Sequence, residues 1–193
     1  SGNLRPRARH SLDRRTGGNA PETLPARGLE APRRLGSGAR GRHRSHRIPL
    51  LRRAFTPGHS FDQICLYEPD KKWLFTGDLF CGRKIKYFRR DEDYTLLLAA
   101  LSGLAELEVD TIFCSLLGVV SDGTRALRDK VAFMTCLREE ALSLREKGLS
   151  PRAIARRLLG REGAMFYITG GHYAKLNAVH SILGGGPVDA WPG

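Results

Sequence analysis

Two residues with metal-binding side chains follow short apolar segments in the first half of the chain. His59 comes after a Pro-Gly pair, and Asp78 comes after a Thr-Gly pair. Neutral imidazole is a good ligand for zinc, and a carboxylate can bridge two metal ions. Metal ions held close together lower the pKa of a bound water and supply hydroxide near neutral pH. His59 and Asp78 are therefore candidates for holding a metal ion that could activate a water molecule.

A β-hairpin is predicted between these two side chains. Residues 60–67 alternate apolar and polar side chains and are rich in strand-forming residues, and residues 73–75 are Trp-Leu-Phe. The segment between them, residues 68–72, contains the Pro-Asp pair that is typical of a turn. The hairpin would bring the ends of the two strands, and with them His59 and Asp78, to one edge of a sheet.

A helix and a buried strand are predicted next. Three acidic residues at 91–93 precede leucines at helical spacing, which predicts a helix over about residues 94–107. Residues 109–114 predict a short buried strand, parallel to an earlier one because a helix connects them. Residues 115–122 are expected to form a loop.

The remainder of the chain is predicted to be helical. A long helix is expected from residue 122 or 123 to about 147, because a Gly follows at 148. The Ser-Pro pair at 150–151 predicts the start of another helix that ends at Gly160. A short apolar segment at 165–169 and a last helix over about 172–183 follow. The order of strands and helices indicates an α/β fold.

The run Thr-Pro-Gly-His-Ser at residues 56–60, followed by Gly-Asp at 77–78, resembles the metallo-β-lactamase fold hydrolases, the superfamily that includes glyoxalase II. The resemblance covers about residues 55–183. It implies a partial αββα sandwich, with residues 54–130 as the C-terminal half of the metallo-β-lactamase-like domain and residues 131–193 as a helical extension. It also implies hydrolysis of an ester, thioester or phosphoester of a small molecule by metal-bound hydroxide.

The same resemblance implies two zinc ions and more ligands than this chain offers. Its main signature, His-x-His-x-Asp-His, is absent upstream of residue 56, and Leu116 or Leu117 occupies the position of a further histidine. Only His59 and Asp78 remain, whereas a catalytic zinc normally keeps three protein ligands and a water. We therefore expect a truncated, ligand-depleted member of the superfamily, and the sequence does not identify a catalytic residue.

Three further residues are candidates for the site. Asp62 lies three residues after His59 and could accept a hydrogen bond that orients the imidazole, or it could be a surface residue of the hairpin. His172 and Tyr173 follow a Gly-Gly pair. Similar C-terminal helices cover the substrate side in glyoxalase-II-like hydrolases, so His172 could contact an anionic substrate, or it could be a polar residue at a helix end.

The N-terminal segment, residues 1–53, has an unusual composition. It contains 14 Arg, no Lys and three acidic residues, whereas the remaining residues are nearly neutral. Such a segment cannot bury enough apolar surface to fold, so we expect it to be disordered. It is interpreted as a solvated tail, as an arm that binds nucleic acid through phosphates, or as a coding sequence read out of frame.

Nucleic-acid binding is the alternative function. Residues 148–160 resemble the first helix of a helix-turn-helix, and the Arg-rich segment would add phosphate contacts. No apolar run is long enough to span a membrane. The four cysteines are widely spaced and suit a reducing cytoplasm. The substrate and the oligomeric state stay open.

Overall fold

The computed structural model describes residues 51–189. In this part of the chain five strands form one sheet in sequence order, and α-helices follow and connect them. The prediction of a disordered segment at residues 1–53 lies outside the described residues up to residue 50, and at its end it was wrong, because Arg52 and Arg53 pair with residues 66–67 as part of a strand. The elements are β1 (Arg52–Phe55), β2 (Ile64–Glu68), β3 (Trp73–Gly77), α1 (Tyr94–Ala105), β4 (Thr111–Cys114), β5 (Gly118–Ser121), α2 (Gly123–Glu146), α3 (Pro151–Leu159), α4 (Ala164–Ile168) and α5 (Lys175–Gly184).

The predicted hairpin is present, with a shorter first strand. β2 and β3 are antiparallel, and β2 also pairs with the edge strand β1. β2 begins at Ile64 rather than near residue 60, because residues 56–63 form a separate loop. The amide of Thr56 donates to the carbonyl of Gln63 at 2.9 Å and closes this loop. His59 lies in the loop and is therefore carried outside the sheet.

The connection from β3 through α1 to β4 confirms the predicted parallel pair. Asp93 caps α1, since its carboxylate accepts hydrogen bonds from the amides of Thr95 at 2.8 Å and Leu96 at 2.9 Å. This crossover places the ends of β3 and β4 side by side. The α/β fold class is thus confirmed.

The segment predicted as a loop at residues 115–122 contains a strand. β5 pairs antiparallel with β4, with Cys114 opposite Gly118. Gly118 has a φ of +69°, which allows the tight turn between the two strands, and two valines follow it. The prediction of a loop was wrong because the strand has only four residues.

The sheet is buried on one face. Leu74, Thr76 and Ile112 have no exposed surface and belong to a core that includes the apolar sides of α1 and α2. Residues that alternate with them point to the other face, where Phe75 stacks on Phe113 with ring centroids 4.7 Å apart. On this second face Phe55 is 68% exposed. The fold therefore resembles one half of a layered sandwich.

The C-terminal helices differ from prediction at one boundary. Ser150 caps α3 and Pro151 is its first residue, as predicted. The last helix begins at Lys175 rather than at His172, because the carbonyls of Gly171 and His172 accept hydrogen bonds from the buried amide side chain of Asn177. The segment in the position of a recognition helix is α4, which has five residues. None of the helices over residues 51–189 has the length and apolar character that crossing a membrane requires.

Candidate functional site

His59 is held at the N-terminal end of α1 by the loop at residues 56–63. Gly58 has a φ of +139°, and a Cβ at this position would lie 2.4 Å from the amide nitrogen of Leu97. The carbonyl of Gly58 accepts a hydrogen bond of 2.8 Å from the amide of Asp93. Only glycine allows the loop to approach the helix this closely, and the approach fixes the position of His59.

A buried carboxylate orients the imidazole of His59. Glu92, which is 8% exposed, places Oε1 2.6 Å from Nδ1 of His59. Its Oε2 accepts a hydrogen bond of 3.0 Å from the amide of Arg89. Nδ1 donates to Glu92, and in the neutral imidazole Nε2 then carries the lone pair.

Asp62, the partner predicted for His59, lies elsewhere. Its carboxylate accepts a hydrogen bond of 2.7 Å from the hydroxyl of Ser60. Glu92 occupies the position beside Nδ1 because α1 begins next to the loop, whereas Asp62 remains exposed. The sequence contains the acidic cluster at 91–93, but we interpreted it only as favourable charge at a helix N-terminus.

Asp78 and His59 come together as the resemblance implies. Nε2 of His59 lies 3.7 Å from Oδ2 of Asp78. Asp78 follows Gly77, whose φ is +53°, at the end of β3. Its other oxygen accepts a hydrogen bond from the hydroxyl of Ser115, at the end of β4. The parallel strands β3 and β4 thus bring Asp78 and Ser115 to one edge of the sheet, and the loop at residues 56–63 holds His59 beside them.

A cation already lies beside Nε2 of His59. The Nη1 atom of Arg89 is 3.3 Å from this nitrogen. The guanidinium is held by Asp91, which accepts from Nε at 2.8 Å and also from Nη2. Burial alone would lower the pKa of Arg89, but the hydrogen bonds and charge of Asp91 outweigh burial and raise this pKa above its usual value. The nitrogen that would bind a metal therefore faces a permanent positive charge.

The two candidate positions for a lost ligand carry exposed apolar side chains. Leu116 is 71% exposed and Leu117 is 48% exposed. Both border a cleft of about 510 Å³ that we name the His59 cleft. Leucine offers no donor atom to a metal. The residues that define the cleft include His59, Asp78, Cys81, Lys84, Lys86, Arg89, Glu92, Leu116, Leu117, Lys130, Met165 and Tyr173.

Lys130 is a cleft residue that the sequence did not point to, because it lies within the regular pattern of α2. Its side chain is 3% exposed, and Nζ donates a hydrogen bond of 2.8 Å to the carbonyl of Gly82. Burial lowers the pKa of Lys130. Burial also raises the pKa of the neighbouring Cys81 thiol to about 12, so this thiol is protonated at neutral pH. The Cys81 thiol donates a hydrogen bond of 2.7 Å to the carbonyl of Asp78.

His172 and Tyr173 lie close to Arg89 and to its partner Asp91. Tyr173 borders the His59 cleft and forms an isolated β-bridge with Arg89. Nε2 of His172 lies 3.8 Å from Oδ1 of Asp91. The structure places both residues near the site, and their predicted contact with a substrate stays a prediction.

The donor set in residues 51–189 does not fit a catalytic metal centre. No group of three or more His, Cys, Asp and Glu side chains in this range is arranged to hold a metal ion. His59 and Asp78 supply two donors, and Glu92 is engaged by Nδ1 of His59 and by a backbone amide. A catalytic zinc normally requires three protein ligands. Additional donors would have to come from outside residues 51–189.

Comparison with solved structures shows that the fold is a known one. A β-lactamase domain protein from Burkholderia ambifaria is similar at 18% identity with a TM-score of 0.53, over 78% of this chain and 45% of that one. A metallo-beta-lactamase family protein from Thermus thermophilus is similar at 20% identity with a TM-score of 0.51, over 71% and 44%. The sec-alkylsulfatase Pisa1 from a Pseudomonas species is similar at 17% identity with a TM-score of 0.51, over 68% and 23%.

This chain therefore spans less than half the length of those structures. No curated protein matches it significantly. The family profile described as the metallo-beta-lactamase superfamily matches residues 41–115, which include His59 and Asp78. The profile covers less than half of the 193 residues, so residues 41–115 are similar to the metallo-beta-lactamase superfamily, and the described residues share their fold with part of those solved structures.

Proposed function

We propose that this chain provides the substrate side of a hydrolase that cleaves an ester, thioester or phosphoester of a small anionic molecule. The observation that supports this proposal best is the His59 cleft, where Nε2 of His59 and Oδ2 of Asp78 lie 3.7 Å apart in a pocket of about 510 Å³. That volume suits a small molecule. The similarity of residues 41–115 to the metallo-beta-lactamase superfamily supports hydrolysis as the reaction class.

The charge of the cleft favours an anionic substrate. Lys84, Lys86, Arg89 and Lys130 line it together with two carboxylates, so basic groups are in excess. One carboxylate, Glu92, is engaged by His59 and by a backbone amide. Exposed lysines at the cleft entrance attract anions and raise their local concentration.

Hydrolysis in the manner implied by the superfamily needs zinc, and residues 51–189 supply too few ligands for it. Because the His-x-His-x-Asp-His signature is also absent from the sequence, we propose that a complete centre requires donors that this chain does not supply, with His59 and Asp78 as this chain's contribution. The glyoxalase-II-like specificity for a thioester is one of the three substrate classes in the proposal. A reducing compartment such as the cytoplasm suits the four cysteines, which all lie in the described part as free thiols.

The proposal is tested with the full 193-residue chain and three anionic probes: a carboxyl ester, a thioester and a phosphodiester. We expect at least one probe to bind, and hydrolysis to stay at background even with added zinc. The double variant K84Q/K86Q should weaken binding at least about tenfold. The matched variant K71Q/K147Q alters two lysines that do not line the cleft and should bind as the wild type does.

Two results would contradict this proposal. If none of the three probes binds, the His59 cleft does not bind the proposed class of substrate. Zinc-dependent turnover by the wild type that His59→Ala abolishes would show that the chain holds a complete centre.

A further inference from the structure

A second cavity, of about 790 Å³, lies between α3, α4, α5 and the segment that precedes α1. Four arginines line it, and we name it the basic cavity: Arg90, Arg152, Arg156 and Arg161. Arg152 and Arg156 are four residues apart on α3 and therefore lie on one face of the helix. They come from parts of the chain that are distant in sequence from Arg90.

The positive charge of the basic cavity is not neutralised within the part of the chain that the structure describes. None of its four guanidinium groups forms an ion pair or a side-chain hydrogen bond with residues 51–189. The acidic lining residue, Glu162, uses both carboxylate oxygens to accept from the amides of Lys175 and Leu176, each at 2.9 Å. Glu162 thus caps α5, and the arginines are available to an external anion.

The walls of the basic cavity are held by hydrogen bonds from polar side chains. Asn177 is 5% exposed, and its side-chain amide donates to the carbonyls of Phe88 at 3.0 Å and Gly171 at 3.1 Å. Nζ of Lys175 donates to the carbonyls of Leu159 at 2.8 Å and Arg161 at 2.7 Å. These bonds join the ends of α3 and α5, so the site is largely formed before a ligand arrives.

The basic cavity is separate from the His59 cleft. Arg89 lines the cleft and Arg90 lines the basic cavity. Met165 borders the cleft, whereas Phe166 and Tyr167 border the basic cavity. The segment at residues 164–173 is the wall between them.

An aromatic surface adjoins the arginines. The rings of Phe166 and Tyr167 pack edge to face at 5.1 Å, and Tyr167 is 74% exposed. Gly171 has a φ of +84°, and a Cβ there would lie 3.5 Å from the ring of Phe166 and 3.6 Å from Nη2 of Arg90. The guanidinium and the ring thus share one side of the cavity, which suits a ligand that carries both negative charge and a planar group.

We propose that the basic cavity binds a small molecule with phosphate groups and a planar ring, of the chemical class of a nucleoside diphosphate. The guanidinium group of arginine forms paired hydrogen bonds with phosphate oxygens, and exposed aromatic rings stack on bases. The cavity volume lies within the range of small-molecule sites. This site is independent of the proposed hydrolase function.

The test is calorimetric titration of the full chain with ADP at physiological salt. We expect ADP to bind, pyrophosphate to bind more weakly, and adenosine not to bind. The variant R152Q/R156Q removes two exposed charges and should weaken ADP binding at least about tenfold. The matched variant R125Q/R128Q removes two charges from α2, which does not line the cavity, and should leave the affinity unchanged. Tyr167→Ala should reduce the affinity for ADP but not for pyrophosphate.

Four results would overturn the proposal. They are no binding of ADP, equal weakening in the two double variants, equal affinity for pyrophosphate and ADP, and an oligonucleotide that binds at least about tenfold more tightly than ADP. Equal weakening in the two double variants would indicate general attraction of anions by a basic protein. The last would identify nucleic acid, not a small molecule, as the ligand.

Discussion

Replacing Gly58 with Ala is expected to reduce the free energy of unfolding by about 3–5 kcal/mol. At Gly58 the backbone has a φ of +139°, and the new Cβ would lie 2.4 Å from the amide nitrogen and 2.5 Å from the Cα of Leu97. Because these neighbours are backbone atoms of α1, neither can rotate away. The loop that carries His59 must shift, which also stretches the hydrogen bond between Asp93 and the carbonyl of Gly58.

Chemical denaturation followed by circular dichroism measures this loss, with Gly103→Ala as the matched control. Gly103 lies inside α1, and a Cβ there would meet no atom within 4 Å. The control should be stabilised by about 1 kcal/mol, because alanine is the better helix former. Equal stability changes in the two variants would show that Gly58 does not hold the loop against the helix.

Replacing Glu92 with Ala is expected to cost about 2–4 kcal/mol. The carboxylate is 8% exposed and binds Nδ1 of His59 at 2.6 Å and the amide of Arg89 at 3.0 Å. Its removal leaves two polar groups without their partner and removes a negative charge close to the Arg89 guanidinium. The imidazole would also lose the contact that orients it.

Comparing the free energies of unfolding of Glu92→Ala and Glu92→Gln separates the effect of the charge from the effect of the hydrogen bonds. Glutamine keeps an acceptor for the amide of Arg89, so we expect about half of the destabilisation, measured by the same denaturation experiment. Glu139→Ala, on the exposed side of α2, should change stability by less than about 0.5 kcal/mol. A loss for Glu92→Ala no larger than that of Glu139→Ala would contradict the role assigned to Glu92.

The sequence predicted elements that rest on local patterns. The β2–β3 hairpin was visible in strand-forming residues around a Pro-Asp turn, and α1 in the leucine spacing after an acidic cap. The parallel pairing of β3 and β4 followed from the helix between them. These features placed His59 and Asp78 at one edge of the sheet, where they lie 3.7 Å apart.

Features that depend on distant contacts could not be predicted in this way. Glu92 lies 33 residues from His59, and only the packed fold shows that they touch. Lys130 follows the ordinary pattern of α2, so nothing local distinguished it from a surface lysine. The basic cavity unites Arg90 with arginines of α3, and each of these residues alone is typical of a solvated surface.

The His59 cleft presents the guanidinium of Arg89 and apolar side chains at the positions where a complete metal centre would need ligands. Nη1 of Arg89 lies 3.3 Å from Nε2 of His59, and Leu116 and Leu117 offer no donor. His59 and Asp78 are thus the donors that the described residues contribute.

Zinc uptake by the metal-free, full-length chain tests this claim most directly. The protein is dialysed against zinc, the bound metal is quantified by mass spectrometry, and His59→Ala is treated in parallel with His180→Ala as the matched control. We predict less than one tightly bound zinc per chain, with no difference between the two variants. One or two zinc ions per chain with a Kd below about 1 µM, lost in His59→Ala and kept in His180→Ala, would contradict the account.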